Sequence, residues 1–101
     1  MSKGSATQTQ TSSWNPEGEM TIYTAAENKT ALLSAMGSSG KFVIDLSNIS
    51  EIDSAGLQLL TLARREAAKA DMDINFANPN DAVMDMLKLC NLTHMLNNGI
   101  A

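Results

Sequence analysis

Residues 42–60 read FVIDLSNISEIDSAGLQLL, and this stretch decides the fold. The run from Lys41 to Leu46 is apolar and rich in β-branched residues, which is typical of a strand covered on both faces. A polar loop over 47–53 follows. A helix over about 54–70 is then predicted from the helical spacing of the apolar residues Leu59, Leu60, Ala63, Ala67 and Ala70.

The flanking segments predict further strands and helices. Apolar residues repeat with helical spacing over 25–36, and Gly37-Ser38-Ser39-Gly40 ends that helix. After the central stretch, Met72, Ile74 and Phe76 alternate with smaller or polar residues, which predicts a half-buried strand. Strands that alternate with helices indicate an α/β sandwich with at least one parallel pair joined by a right-handed crossover.

A third helix is predicted after the segment Asn78-Pro79-Asn80-Asp81. We expect Asn78 as the N-cap, with proline at the first helical position and an acid at the third. The apolar face of this helix comprises Val83, Met86, Leu87 and Cys90, and a short terminal turn carries Met95 and Leu96.

The N-terminal residues 1–13 are almost entirely Ser, Thr, Gln, Gly and Ala, so we expect a flexible segment there and a folded domain over 14–101. Trp14 is the first large apolar residue after Met1. The turn-forming run 15–18 behind it predicts a hairpin, in which an edge strand ends at Trp14 and returns over 19–23.

Composition excludes several classes of protein. The 101 residues, 44% of them apolar, suit one small globular domain. The formal charge of −4 disfavours nucleic acid and anionic membranes as partners, and Arg64, Arg65 and Lys69 read as a solvated helix face. No long apolar run or export signal occurs, so we expect a cytoplasmic protein without membrane insertion.

The single cysteine and the single histidine do not form a credible metal site. Cys90 cannot form an internal disulfide, and with His94 it supplies only half of a zinc site. We therefore expect a buried thiol and a surface imidazole, and we predict neither metal nor cofactor.

The start of the 54–70 helix is the most informative local feature. Ser54 sits where unpaired backbone N–H groups and the positive end of the helix dipole converge, a place that stabilises an anion. The small residues Ala55 and Gly56 leave its hydroxyl accessible. The alternative is ordinary: Asp53 or Ser54 is an N-cap, and Gly56 only permits close packing. The residues alone leave both interpretations open.

The sequence resembles the STAS domain family, in particular small stand-alone bacterial anti-sigma-factor antagonists. The likeness covers about residues 19 to 97. It rests on Ile44-Asp45-Leu46-Ser47, on Glu51-Ile52-Asp53-Ser54-Ala55-Gly56-Leu57, on Asn78-Pro79 with Val83, and on Leu87, Cys90 and Leu92. The resemblance implies a four- or five-stranded mixed sheet with helices mainly on one face.

The resemblance also implies a mechanism. Ser54 would be phosphorylated by a HATPase-type serine kinase that is also the anti-sigma factor, and dephosphorylated by a serine phosphatase. The unphosphorylated form would bind the kinase. Because residue 55 is Ala where some antagonists carry Ser or Thr, only one acceptor is available. The expected partner-binding residues are Asn48, Ser50, Glu51, Asp53, Ala55, Gly56 and Leu57, with simple loop and packing roles as the alternative.

Two other functions compete with this one. The chain could be a STAS subunit of a lipid-transport ABC system that docks on its ATPase without a phosphate. An enzymatic role is the weakest reading, because the carboxylates of Asp45, Glu51, Asp53 and Asp73 have no nucleophile and base arranged around them, so no catalytic residue is predicted. No glycine-rich phosphate loop occurs either.

Overall fold

The computed structural model describes residues 10–96 and contains five strands and three helices of more than two turns. In chain order they are β1 (Thr11–Trp14), β2 (Gly18–Met20), α1 (Ala25–Ala35), β3 (Lys41–Asp45), β4 (Ile49–Ile52), α2 (Ser54–Lys69), β5 (Asp73–Ala77) and α3 (Asp81–Leu89). A further helical turn begins at His94. Residues 1–9, most of the segment expected to be flexible, and residues 97–101 lie outside the described residues.

The strands form two sheets, one of three strands in the order β1-β3-β5 and one of two strands, β2-β4. The predicted α/β class is confirmed, and the five strands agree with the predicted four or five. Each pairing recorded within residues 10–96 is parallel, whereas we expected a mixed sheet. Residues 11–13, which the sequence placed in the N-terminal segment, belong to β1 and pair with β3.

The predicted hairpin between Trp14 and residues 19–23 is wrong. Residues 11–20 instead run beside 41–52 in one direction: Thr11 pairs with Lys41, Trp14 with Ile44, Gly18 with Ile49 and Met20 with Ile52. The turn-forming residues 15–17 bend this parallel ribbon without reversing it, and Gly18 takes a positive φ of 81° at the irregularity. Turn chemistry alone therefore did not distinguish a bend from a reversal.

The polar loop predicted over 47–53 contains strand β4. Only Ile49 in this strand is fully buried, and Ser50 and Glu51 are exposed. A four-residue strand with two adjacent polar residues lacks the alternation that marks a half-buried strand, and so the pattern did not reveal it.

The core lies between the three-stranded sheet and the helices. Phe42, Ile44 and Phe76 are buried on one face of the sheet, while Lys41 and Asp73 on the other face are exposed. Strand β3 is thus fully covered on one face only, which corrects the two-faced expectation. From α2, the residues Leu57, Leu59, Leu60, Ala63 and Ala67 complete the core.

Helix α3 begins two residues later than predicted. Asn80, not Asn78, is the N-cap, and its side chain accepts a hydrogen bond from the Val83 N–H at 3.0 Å. Asn78 has a left-handed backbone with a φ of 54°, which an N-cap does not adopt.

The prediction of a buried thiol at Cys90 is also wrong. Helix α3 ends at Leu89, and Cys90 is its exposed C-cap, beyond the apolar face that Val83 and Leu87 bury. His94 is exposed, as expected. Within residues 10–96, no group of three or more His, Cys, Asp or Glu side chains is placed to hold a metal ion.

Candidate functional site

Ser54 is the first residue of α2 and lies at the protein surface. Strand β4 ends at Ile52, Asp53 is extended with φ −121° and ψ −169°, and the helix begins at the serine. Ser54 is exposed, and its hydroxyl makes no hydrogen bond with the described residues. A solvated hydroxyl in this position is accessible to another protein's active site.

Asp53 is the N-cap of α2, which decides between the two possible caps. Its Oδ1 accepts hydrogen bonds from the backbone N–H groups of Ala55 at 2.9 Å and Gly56 at 3.1 Å. The Asp53 side chain therefore accepts from two of the backbone N–H groups in the first turn of α2, which have no partner within the helix. The serine is relieved of the capping role, and its hydroxyl stays free for other chemistry.

The other carboxylate oxygen of Asp53 ties the helix to a different part of the chain. Oδ2 accepts a hydrogen bond from the Ile22 N–H at 3.0 Å, and the Asp53 N–H donates to the Met20 carbonyl at 3.2 Å. The bond from Ile22, joined by those from Gly56 and Ala55, lowers the pKa of Asp53 below its ordinary value. Asp53 is consequently ionised at neutral pH and holds the start of α2 against the end of β2.

Gly56 is needed for packing. A Cβ atom at this position would overlap the Met20 carbonyl oxygen and would lie 2.7 Å from Cγ1 of Ile52. The first turn of α2 therefore sits directly on the backbone of β2 and on a side chain of β4. Gly56 thereby lets the start of α2, with Ser54, lie close to the strands. The geometry supports the interpretation that this glycine permits close packing.

The turn over 21–24, beside Ser54, was missed by sequence reasoning. Thr21 is buried, its hydroxyl donates to Glu19 at 2.9 Å, and Thr24 Oγ1 accepts from the Thr21 N–H at 3.1 Å. This bonding holds a rigid turn that displays Ile22, 68% exposed, and Tyr23, 88% exposed. The Thr-x-x-Thr spacing was the available signal, because threonine hydroxyls at that spacing close turns.

The residues predicted to contact a partner divide into two groups. Asn48, Ser50 and Glu51 are exposed, and the Asn48 side chain donates to Asn15 Oδ1 at 3.4 Å. Asp53 and Ala55 are half-buried, and Gly56 is buried.

The structure corrects the prediction that Leu57 belongs to the partner surface. This residue is only 3% exposed, because its position on α2 faces the core, and its side chain is closed to a partner.

The charge around Ser54 is negative on the strand side. Ionised Asp53 precedes it, Glu51 is exposed on β4, and the first turn of α2 contains no acidic residue. A phosphate on Ser54 would therefore meet the helix dipole favourably and the Asp53 carboxylate unfavourably. Because Ser54 is exposed, a negatively charged group on its hydroxyl would lie in contact with solvent.

Comparisons with known proteins identify the family and the fold. A family model described as "Mlab, STAS domain" matches residues 8–97. A comparison with curated protein sequences finds no match. Within residues 10–96, no helix has the length and apolar character required to cross a bilayer.

Two solved structures share the fold. A sulfate transporter family protein from Wolinella succinogenes has a TM-score of 0.68 and 13% identity, over 93% of this chain and 79% of that one. The anti-sigma factor antagonist SpoIIAA in its unphosphorylated form has a TM-score of 0.63 and 18% identity, over 88% of this chain and 79% of that one. At these identities the likeness concerns the fold.

Proposed function

The chain belongs to the STAS domain family, and from that premise we propose that it is a non-enzymatic partner-switching regulator controlled by phosphorylation of Ser54. The unmodified form binds an anti-sigma factor that is also a HATPase-type serine kinase, and the phosphorylated form releases it. A serine phosphatase resets the switch. All of these steps take place in the cytoplasm. The observation that carries the proposal is the free, exposed hydroxyl of Ser54 on a helix that Asp53 already caps.

The geometry suits a switch that changes charge without refolding. Phosphorylation adds about −1.5 to −2 charges, and Ser54 makes no hydrogen bond within residues 10–96 that the phosphate would break. The new charge lies beside ionised Asp53, so a partner packed on this surface meets concentrated negative charge. A loss of about 3 kcal/mol at such an interface lowers affinity by about a hundredfold.

The contact surface follows from the exposed residues around Ser54. In this proposal the exposed residues Asn48, Ser50 and Glu51 are rim contacts of the partner, and Asp53 and Ala55 flank the proposed acceptor in sequence. Gly56 and Leu57 support the surface from beneath by packing on the strands and in the core.

Mass spectrometry after incubation with ATP and the HATPase-type serine kinase of the source organism tests the proposal. We expect one phosphate, on Ser54, and its removal by a serine phosphatase. Ser54→Ala should bind the kinase like the unmodified protein, and Ser54→Asp should bind about tenfold to a hundredfold more weakly.

Ser38→Asp is the matched control, since it adds the same charge at an exposed serine in the loop between α1 and β3. It should bind like the wild type. Modification at a residue other than Ser54, or equal affinity of the Ser54→Ala and Ser54→Asp variants, would reject the switch.

A second candidate is suggested by the structural likeness to a sulfate transporter family protein, since it shows that this fold also occurs in transport proteins. In that case the same surface docks on the ATPase subunit of a lipid-transport ABC system, and no phosphate is required. Co-purification with such an ATPase, from cells in which Ser54 is never phosphorylated, would favour this candidate.

A further inference from the structure

A groove of about 590 Å³ lies between α1 and α2, on the surface adjoining Ser54. Its apolar floor is formed by Ala25, Ala26, Ala55, Leu59 and Leu62. Because the side chains of the three alanines are short, the backbones of both helices lie close to any molecule that occupies the groove. Ala55 is the neighbour of Ser54 and brings one end of the groove to the candidate phosphoacceptor.

The groove has the length of a short helix. Its residues on α2 extend from Ala55 to Arg65, which is about 15 Å along the helix axis. Along α1 it is lined from Ala25 to Lys29, and Leu33, one turn further, is 42% exposed. A helix of two to three turns would fit along α2 and contact α1 on its other side.

The charge of the groove differs from that of the chain as a whole. Among the lining residues within 10–96, the charged ones are Lys29 and Arg65, although the chain has a net charge of −4. Neither cation forms a salt bridge within the described part of the chain, where the recorded ion pair joins Lys69 to Glu66. Two unpaired cations beside an apolar floor are complementary to an amphipathic segment with acidic side chains.

The shape of the groove favours a polypeptide over a small molecule. Ala26, Lys29, Gln58 and Arg65 are exposed, and among the floor residues only Leu59 is buried. A small ligand would remain largely in contact with water here, whereas pockets for small molecules enclose most of their ligand. A helix that lies in an open groove, apolar face down, is a recurring mode of recognition.

We infer that this groove binds an amphipathic acidic helix of the partner protein, with carboxylates facing Lys29 and Arg65. The inference rests on the proposed function in one respect: the partner is the one that Ser54 controls. A phosphate on Ser54 stands at one end of the groove and repels the carboxylates of the partner helix that lie near that end. This gives the switch a specific element of the partner to act on.

The test uses the full chain, labelled with ¹⁵N, and two synthetic helical peptides of about 15 residues. Both peptides carry the same Leu and Ala positions, and their remaining positions are Glu in one and Lys in the other. The Glu peptide should shift the amide signals of α1 and of α2 from Ala55 to Arg65, with an affinity at least about tenfold higher than that of the Lys peptide. The Lys29→Glu/Arg65→Glu variant should reverse the preference, and Ser54→Asp should weaken binding of the Glu peptide severalfold.

Lys88→Glu, an exposed charge reversal on α3, is the control and should leave the preference unchanged. The inference is overturned if neither peptide binds at about 1 mM, if both bind equally, if the shifts fall on another face, or if Ser54→Asp binds the Glu peptide like the wild type. Amide dispersion verifies that each variant is folded. Phosphorylation of Ser54 by the kinase is measured separately, so a failed groove and a failed phosphorylation switch give different results.

Discussion

The starts of α2 and α3 follow the same local rule with different results. Each helix has a polar N-cap whose side chain accepts from first-turn N–H groups and also bonds to a distant segment: Asp53 to Ile22, and Asn80 to the Ile49 carbonyl at 2.6 Å. The first turn of α3 already contains the acidic Asp81, and Val83 occupies the third helical position in the core. The first turn of α2 has no acid, and Gly56 occupies that third position.

The first turns of α2 and α3 differ in the size of their side chains and in their charge. At α3 a carboxylate already meets the dipole, and a large side chain anchors the turn. At α2 the turn is held by backbone proximity, and the position that Asp81 fills in α3 is taken by the neutral Ser54. A helix start built in this way is stable without a charge at its first residue and tolerates one when it is added.

The largest expected effect is that of Gly56→Ala, which tests whether backbone proximity holds the α2 turn. Helix propensity alone would stabilise this variant by about 1 kcal/mol. Because the new Cβ overlaps the Met20 carbonyl, we expect a net loss of about 1–3 kcal/mol, measured by urea denaturation.

Gly37→Ala is the matched control for that variant. There the new Cβ would lie 3.2 Å from the Ser12 Oγ and 3.9 Å from the Ser39 carbonyl oxygen, without the backbone overlap found at Gly56, and the change should stay within about 0.5 kcal/mol. A stabilised Gly56→Ala protein would show that α2 does not rest on β2 as described.

Asp53→Asn sharpens the comparison of the two caps. Asparagine suits position 80, where the side chain both donates and accepts, but Asp53 accepts on both oxygens. The variant places an amide N–H₂ where one of those acceptors was, so we expect a melting temperature a few degrees lower at pH 7.

The pH dependence of this difference follows from the lowered pKa of Asp53. The ionised carboxylate contributes stability above the unfolded-state pKa, and this contribution is lost as the pH falls through the lower folded-state value. The gap between wild type and Asp53→Asn should therefore narrow as the pH falls below about 4, the ordinary pKa of an aspartate. The control Asp85→Asn, whose side chain makes no hydrogen bond within residues 10–96, should melt like the wild type; a gap that is constant with pH would contradict the role of the charge.

The smallest expected effects come from exchanging the first residues of the two helices. Asp81→Ser removes the acid from α3 and should cost about 0.3–1 kcal/mol at low salt. Ser54→Asp should add no more than that to stability, because Asp53 is adjacent and repels the new charge. Denaturation at low and high salt measures both, and a large destabilisation of Ser54→Asp would show that the α2 start does not tolerate an anion.

Much of the fold was predictable because its helices and central strands carry periodic patterns. The predicted helix over 54–70 became α2 at residues 54–69, and the alternation of Met72, Ile74 and Phe76 marked β5. The parallel course of β2 and the short β4 were not predictable in this way. Their pairing depends on residues some thirty positions away, and the local signals were turn formers and polar residues.

The exposed position of Ser54 was predictable, and the surroundings of this residue were less so. The exposure of Ser54 agrees with the expectation from the Asp-Ser-Ala-Gly run. The sequence could not show whether Leu57 is buried or contacts a partner, because an apolar residue at that position suits either role. Nor does a local pattern bring Ile22 to the start of α2, since the bond that does so joins residues 22 and 53.

The long parallel ribbon has a consequence for how the chain acquires its structure. Residues 11–14 pair with 41–44 and residues 18–20 pair with 49–52, so each of these strands leaves the ribosome roughly thirty positions ahead of its partner. Contacts of such high sequence separation slow folding, because a large loop must close before the pairing is rewarded. Trp14 and Met20 therefore remain exposed to water in the early nascent chain, and each of the two sheets assembles only after its downstream strands have been synthesised.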